Sequence, residues 1–292
     1  MKILQKICFV LLITTFSSVY GGSCGDKVPD VDDCRVRAEQ GSAVAQFNLG
    51  TMYDNGEGVL QDYKEAVKWY RLSAEQGVSK AQYNLGYMYY NGQGVLQDDK
   101  EAVKWFRLAA EQGYAWAQFN LGHLYRKGQG VLQNYKESVK WTRKAAEQGV
   151  PKSQYTLGLM YKNGQGVLQD YKEAVKWFRL AAEQEYFLAQ NSLGFSYFEG
   201  EGVLQDYKEA VKWTRKAAEQ GHFDSQYNLG LMYSQGKGVL QDFVMAHMFY
   251  NIAAMGGHID SNVIRDSLEK RMTQSQIEEA QKLAREWMQN HQ

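Results

Sequence analysis

Residues 74–109 read AEQGVSKAQYNLGYMYYNGQGVLQDDKEAVKWFRLA, and this stretch decides the fold. Its opening Ala-Glu-Gln motif begins at Ala38, Ala74, Ala110, Ala146, Ala182 and Ala218, always 36 residues apart, and the pattern decays at Ala254. A fixed period of this length without insertions is typical of stacked structural repeats. The sequence therefore predicts six repeats, at 38–73, 74–109, 110–145, 146–181, 182–217 and 218–253.

The first half of each repeat has the pattern of a helix. Ala45, Leu49 and Tyr53 recur four residues apart and mark one face. Gly56 then ends the helix, because glycine adopts the left-handed conformation of a C-cap, and we expect the second glycine, Gly58, to loosen the turn. An apolar pair, Val-Leu, crosses the turn.

The second half predicts another helix, which begins at Asp62 and ends near Ala74. Asp62 is the expected N-cap, and Glu65 completes a capping-box-like start. The predicted buried face consists of small and aromatic side chains, Ala66, Trp69, Tyr70 and Ser73. The predicted water-facing side chains are Lys64, Lys68 and Arg71.

One repeat buries too little apolar surface to fold alone, so neighbouring repeats must stack. We therefore predict an all-α, right-handed α-solenoid of helix-turn-helix repeats. Residues 23–37 are expected to cap its N-terminus, and helices within 254–292 its C-terminus. Thr273 and Gln276 make a capping box for the last of these helices.

Residues 1–22 have the pattern of a signal peptide, with two lysines before a short apolar run. No segment is long and apolar enough to span a membrane. An exported chain predicts a disulfide between Cys24 and Cys34. The alternative is a lipoprotein attached through Cys24, although the usual aliphatic residue before such a cysteine is missing. Either reading places the mature protein in the periplasm or outside a bacterial cell.

The charges of the chain balance, with 33 Lys plus Arg against 33 Asp plus Glu. No net field therefore attracts the protein to nucleic acid or to an acidic membrane.

The motif Ala-x3-Leu-Gly-x2-Tyr-x2-Gly-x-Gly-Val, followed by Asp-x3-Ala-x2-Trp, resembles the Sel-one-like repeat (SLR) family, which is related to tetratricopeptide repeats. The resemblance covers 38–253 and implies an adaptor that holds other proteins or envelope components. Penicillin-binding or β-lactamase activity is attributed to one branch with paired cysteines in every repeat. This chain has no cysteine inside a repeat, which argues against such an enzyme.

The sequence offers no catalytic set and no cofactor or metal site. The histidines, including His123, fall at different repeat positions without ligand spacing. The Gly-x-Gly turns follow helices and lack a following Gly-Lys-Ser/Thr, so they are not phosphate loops.

Comparison of the six copies separates two kinds of position. Constant positions are expected to be needed by the stack, whereas the variable ones are free to serve binding. By resemblance to tetratricopeptide repeats, positions 44, 47, 51, 54 and 55 of the first repeat, with their counterparts, line a concave groove. The predicted groove residues are Tyr83, Tyr87, Tyr90, Trp116, Phe119, His123, Arg126, Tyr155, Lys162, Phe195 and Phe198.

Tyr, Trp and Arg together are typical of binding hot spots. The alternative for the aromatic residues at position 47 and its counterparts is packing between first helices. We expect a non-catalytic scaffold that binds an envelope, secretion-system or host protein. The acidic groups of this partner are expected to lie near Arg126 and Lys162. The alternatives are a peptidoglycan- or glycan-binding module and, third, an enzyme acting on peptidoglycan or β-lactams.

Overall fold

The structure, a computed structural model, describes residues 31–291, and every regular element in this range is an α-helix. The predicted signal peptide and Cys24 lie outside the described residues. A short leading helix, α1 (Val31–Glu39), precedes the repeats.

Each repeat contributes a first and a second helix. The first helices are α2 (Ala43–Asn55), α4 (Ser79–Asn91), α6 (Ala115–Lys127), α8 (Pro151–Asn163), α10 (Phe187–Glu199) and α12 (Phe223–Gln235). The second helices are α3 (Tyr63–Glu75), α5 (Asp99–Glu111), α7 (Tyr135–Glu147), α9 (Tyr171–Glu183), α11 (Tyr207–Glu219) and α13 (Phe243–Met255). The last two helices are α14 (Ser261–Glu269) and α15 (Gln274–Asn290).

The chain divides into two compact units between Gln97 and Asp98. The N-terminal unit contains α1 to α4, and the C-terminal unit contains α5 to α15. Consecutive helices pack against each other from α1 to α4 and from α5 to α14, and α15 packs against α13. This arrangement confirms the predicted class of helical-repeat fold.

The helix boundaries follow the predicted caps. Gly56 ends α2 with φ 73°, in the left-handed conformation. The Asp62 side chain accepts hydrogen bonds from the backbone N–H groups of Lys64 and Glu65. The Glu65 side chain, however, binds Lys68 at 3.1 Å, where a capping box would require it to return to the Asp62 backbone.

The second glycine of each turn does not loosen the turn, contrary to the sequence expectation. A Cβ on Gly202 would lie 2.2 Å from the carbonyl oxygen of Tyr171, at the start of α9 in the preceding repeat. Gly130 stands in the same relation to Asp99. Glycine is required here because two backbones touch.

Small residues also allow the helices of one repeat to approach. A Cβ on Gly158 of α8 would lie 2.6 Å from the Phe178 ring of α9, and one on Gly50 would lie 2.7 Å from the Tyr70 ring. Tyr70 and Phe178 are both fully buried. Glycine at these crossings therefore lets the two helices of a repeat pack closely around a buried ring.

A glutamine ladder, which the sequence analysis did not anticipate, links neighbouring repeats. The buried Gln154 of α8 donates to the carbonyl oxygen of Ala146, in the second helix of the preceding helix pair, α7, at 3.2 Å. It accepts from Gln184, just after the second helix of its own pair, α9, at 2.8 Å. Similar bonds occur at Gln46 in the N-terminal unit and at Gln190 in the C-terminal unit.

The expectations for two positions, Arg71 and Leu60, are wrong. Arg71 does not simply face water, because its guanidinium donates to the Tyr89 hydroxyl, and Arg215 donates to Tyr233 at 2.7 Å in the C-terminal unit. Leu60, which was expected to serve the stack because its type is constant, is 92% exposed. Its counterparts, Leu96, Leu132, Leu168, Leu204 and Leu240, are each 91% exposed.

The last two helices cover the sixth repeat. The Thr273–Gln276 capping box is present at the start of α15. Ala284 of α15 is buried in a cluster that includes Phe249 of α13. The buried His247 of α13 contacts Glu269 of α14, with 2.8 Å between Nε2 and Oε1.

Candidate binding surface on the first helices

Three of the predicted groove residues lie on α4 of the N-terminal unit. The rings of Tyr83 and Tyr87 stack at a centroid distance of 6.4 Å. Tyr87 is 45% exposed, whereas Tyr83 and Tyr90 are half-buried. The structure therefore brings these aromatic rings to one accessible helix face.

In the C-terminal unit, α6 carries an aromatic pair near its start. Trp116 packs edge-to-face against Phe119, with 6.5 Å between the ring centroids. Trp116 is 37% exposed and Phe119 is half-buried. The Phe119 ring therefore supports an indole that remains accessible.

His123 and Arg126 are partners one helical turn apart on α6. The distance between His123 Nδ1 and an Arg126 terminal nitrogen is 3.3 Å. Burial lowers the pKa of His123, and the charges of Arg126 and Lys127 lower it further. A neutral imidazole can accept a hydrogen bond from the guanidinium through Nδ1. The Arg126 Nε atom is buried without a hydrogen-bond partner among the described residues.

Tyr155 has the packing role that was the alternative for its position. Its ring contacts Phe178 at 5.8 Å and Tyr186 at 5.4 Å between centroids. Burial raises the pKa of its hydroxyl, although a hydrogen bond with Ser192 acts in the opposite direction. Tyr155 therefore joins two repeats.

Lys162 is already paired. Its Nζ lies 2.8 Å from the Glu201 carboxylate and 4.5 Å from the centroid of the Phe195 ring. An acidic ligand would have to compete with Glu201. Arg126 is therefore a better candidate than Lys162 for contacting such a ligand.

Phe195 and Phe198 of α10 line an open cavity of about 90 Å³. Phe195 is 41% exposed. The remaining lining residues are Glu199, Thr214, Asn228, Leu231 and Met232. This site combines apolar walls with access from the first-helix surface.

The surface of α6 and α8 carries charge of one sign. These two helices contain Arg126, Lys127, Lys152 and Lys162, and neither contains an aspartate or a glutamate. The charged residues within these two first helices are therefore all basic, even though the charges of the whole chain balance.

The structure also brings together two histidines that sequence spacing kept apart. Nε2 of His222 lies 3.7 Å from Asp224, and Nε2 of His258 lies 3.8 Å from the same carboxylate. His222 also caps α12, and His258 stacks on Tyr227 at 4.2 Å. That His222 and His258 both contact Asp224 depends on how neighbouring helices pack, so the spacing of these residues in the sequence did not predict it.

Within residues 31–291, no three or more His, Cys, Asp or Glu side chains are placed to hold a metal ion. No helix in the same range has the length and apolar character needed to cross a membrane.

Comparison with known proteins identifies the repeat. The sequence profile of the Sel1 repeat matches 43–78, 79–114, 117–150, 151–186, 188–222 and 223–258. The first match begins at residue 43, whereas we predicted a boundary at 38, because the two divisions cut the same period at different points.

A Sel1 repeat protein from Oxalobacter formigenes is similar in structure. The two are 34% identical, the match covers 76% of this chain and 89% of that chain, and the TM-score is 0.68. A protective antigen of uropathogenic Escherichia coli with an SLR fold is 28% identical over 92% of this chain and 89% of that one, with a TM-score of 0.41. No curated protein matches significantly.

Proposed function

Because the chain belongs to the Sel1 repeat family, we propose that it is a non-catalytic scaffold whose first helices bind a segment of a partner protein. The observation that carries the proposal is the exposure of large aromatic side chains at diversified positions. Tyr87, Trp116 and Phe195 are 45%, 37% and 41% exposed, whereas the constant tryptophan of the second helices is buried as Trp69, Trp105, Trp141 and Trp213. Exposed Trp and Tyr beside Arg are typical of hot spots.

Charge indicates the nature of the partner segment. The aromatic pair Trp116–Phe119 lies on the same helix as His123 and Arg126, and this helix and α8 carry only basic charges. A segment with acidic groups near apolar side chains complements this surface. The neutral form of His123 leaves the Arg126 guanidinium as the charged donor.

A pull-down from bacterial envelope extract tests the proposal. The bait is the wild-type chain or the double variant Trp116→Ala/Arg126→Ala, and Tyr87→Ala tests the N-terminal unit separately. Loss of two hot-spot side chains is expected to lower recovery of the specific partner by about tenfold or more. Lys64→Ala/Lys136→Ala, on second helices, is the matched control and should recover the partner like wild type.

Equal recovery by folded wild type and Trp116→Ala/Arg126→Ala would contradict the proposed surface. If the wild-type chain is instead retained on insoluble peptidoglycan, the glycan-binding alternative gains support. Nitrocefin hydrolysis above background would contradict the proposed lack of catalysis.

We also propose that the protein is exported and that Cys24 pairs with Cys34. Cys34 is fully buried in α1, in a cluster with Ala38 and Leu49, where a bridge would fix the start of the N-terminal unit. Intact mass of the mature protein, with and without reduction and alkylation, tests both points. Retention of residues 1–22 would contradict export, and a lipid-modified N-terminus at Cys24 would favour the lipoprotein alternative.

A further inference from the structure

In the second helices, the side chain at the position of Tyr70 points into the space between two neighbouring first helices. An aromatic ring at this position fills the space. In the first repeat, this position is Tyr70, a fully buried ring. The Tyr70 hydroxyl donates to Thr51 Oγ1 at 3.3 Å and to Asp54 Oδ2 at 3.1 Å, and it also interacts with the Asn84 side chain. The ring therefore ends among Thr51 and Asp54 of its own repeat and Asn84 of the next.

The residues at this position are Tyr70, Phe106, Thr142, Phe178, Thr214 and Tyr250. Four repeats therefore have an aromatic ring, and two have a threonine. Glycine remains opposite the threonine in the fifth repeat, as Gly194, so the close helix crossing is kept while the ring is missing.

The cavity of about 90 Å³ lies where that ring is missing. Among its lining residues, Phe195 and Phe198 are the counterparts of Thr51 and Asp54, Asn228 is the counterpart of Asn84, and Thr214 replaces Tyr70. The positions that surround the tip of Tyr70 in the first repeat thus surround an open space in the fifth. A ring that came from α11 would have filled it.

We propose that this cavity, here called the ring pocket, binds the phenylalanine side chain of a partner segment. This inference rests on the proposed function and specifies the chemistry of one anchor residue. Aromatic residues at the equivalent position of four repeats show which shape the site accommodates. Open access beside the exposed Phe195 allows a ring to enter from the first-helix surface.

The lining favours phenylalanine over tyrosine. Tyr70 has hydroxyl and carboxylate partners at Thr51 and Asp54, and Tyr250 contacts the Ser234 hydroxyl at 3.3 Å. In the ring pocket, Phe195 and Phe198 replace the first two of these partners. Of the three groups that Tyr70 contacts, a phenol in the ring pocket would retain only the counterpart of Asn84, Asn228, so it would regain fewer hydrogen bonds than Tyr70 does for its lost interaction with water.

The third repeat provides a matched control. Thr142 also lacks the ring, but His123 and Arg126 stand at the counterparts of Phe195 and Phe198. Thr142→Phe is therefore the same substitution as Thr214→Phe, made in a repeat with a basic surface and outside the ring pocket. Both variants introduce the residue that Phe178 provides naturally in the fourth repeat.

The probe is N-acetyl-L-phenylalanine amide, observed by saturation-transfer NMR with the full chain. We expect saturation of its ring protons by wild type and by Thr142→Phe, and at least about a fivefold smaller effect with Thr214→Phe, because the new side chain fills the pocket. The leucine and tyrosine analogues should give weaker signals with wild type, a comparison that needs no variant.

Equal signals from wild type and a folded Thr214→Phe chain would overturn the proposal, as would a stronger signal from the tyrosine analogue. Partner recovery separates this result from the proposed function. Suppose that Trp116→Ala/Arg126→Ala lowers recovery of the partner while Thr214→Phe does not. The proposed scaffold function is then supported, and the ring pocket is excluded as the anchor site for the partner.

Discussion

Glu185 occupies a position that glycine holds in the other copies. Its φ is 61°, and it is the one non-glycine residue with positive φ between residues 31 and 291. Its counterparts Gly77 and Gly221 have φ of 90° and 83°, and a Cβ on either would meet nothing within 4 Å. A side chain fits there, but the left-handed backbone still disfavours it.

We therefore expect Glu185→Gly to stabilise the protein. Relief of the left-handed strain, offset in part by the greater freedom of glycine in the unfolded chain, should raise the free energy of unfolding by about 0.5–1 kcal/mol. Denaturant unfolding measures the change. Glu183→Gly, within α9, is the control and should have the opposite sign, since glycine disfavours a helix.

His123 makes stability depend on pH. Its pKa in the folded chain lies below the ordinary 6.5, chiefly because of burial. As the pH falls through this range, the unfolded chain binds a proton more readily than the folded chain, so the free energy of unfolding decreases. His123→Gln should reduce this loss between about pH 7 and pH 5. An NMR titration in which the His123 resonance titrates above 6.5 would contradict the assignment.

At the scale of elements, glycines in two kinds of turn distinguish the energetic cost of backbone strain from the cost of a steric clash. Gly202 and Gly221 both have positive φ, 76° and 83°, but only Gly202 lies against a carbonyl oxygen of the preceding repeat. Gly221→Ala should cost about 0.5–1 kcal/mol of stability, because the backbone strain is offset in part by the smaller freedom of alanine in the unfolded chain. Gly202→Ala should cost about 3 kcal/mol or more, because the new methyl group also forces the backbones apart.

Thermal and denaturant unfolding of both variants check this difference. The proposed contact between turn and preceding helix would be wrong if the two substitutions had equal effects. Glu185 occurs naturally at the counterpart of Gly221, so the Gly221 position accepts a side chain.

The helices were predictable because their signals are local. Gly56 ends a helix and Asp62 begins one through bonds to backbone groups a few residues away. The surface contacts were not predictable, since they join different repeats. The Lys162–Glu201 pair and the contact of Tyr155 with Tyr186 depend on which side chain the next repeat presents.

A residue type that is constant among the copies did not reliably predict burial, because burial also depends on contacts between repeats. It identified the buried Leu49 and Trp69, but it also marked Leu60, which is almost fully exposed. Conversely, threonine replaces the aromatic residue at Thr214, and it is the arrangement of the neighbouring helices that shows a cavity there.

For the whole molecule, a complete repeat should be removable. Deletion of 151–186 in the C-terminal unit joins α7 to α10 through a junction of the native type. Because each repeat depends on nearest neighbours, we expect a folded chain with the same helicity per residue and a lower free energy of unfolding. Circular dichroism and denaturant unfolding measure both quantities.

Deletion of 151–168 is the control, because it removes α8 and leaves the apolar face of α9 without its first helix. This chain should lose cooperative unfolding. Equal behaviour of the two deletions would contradict the nearest-neighbour account.

The glutamine ladder has a consequence for the gene. Gln154 contacts its own repeat and the one before it, and its counterparts do the same, so no copy requires a particular distant copy. Tandem coding segments of similar sequence can misalign, and a crossover between them adds or removes a whole copy in frame. Every such product retains the ladder, so the number of first helices available to a partner can change in a single recombination event.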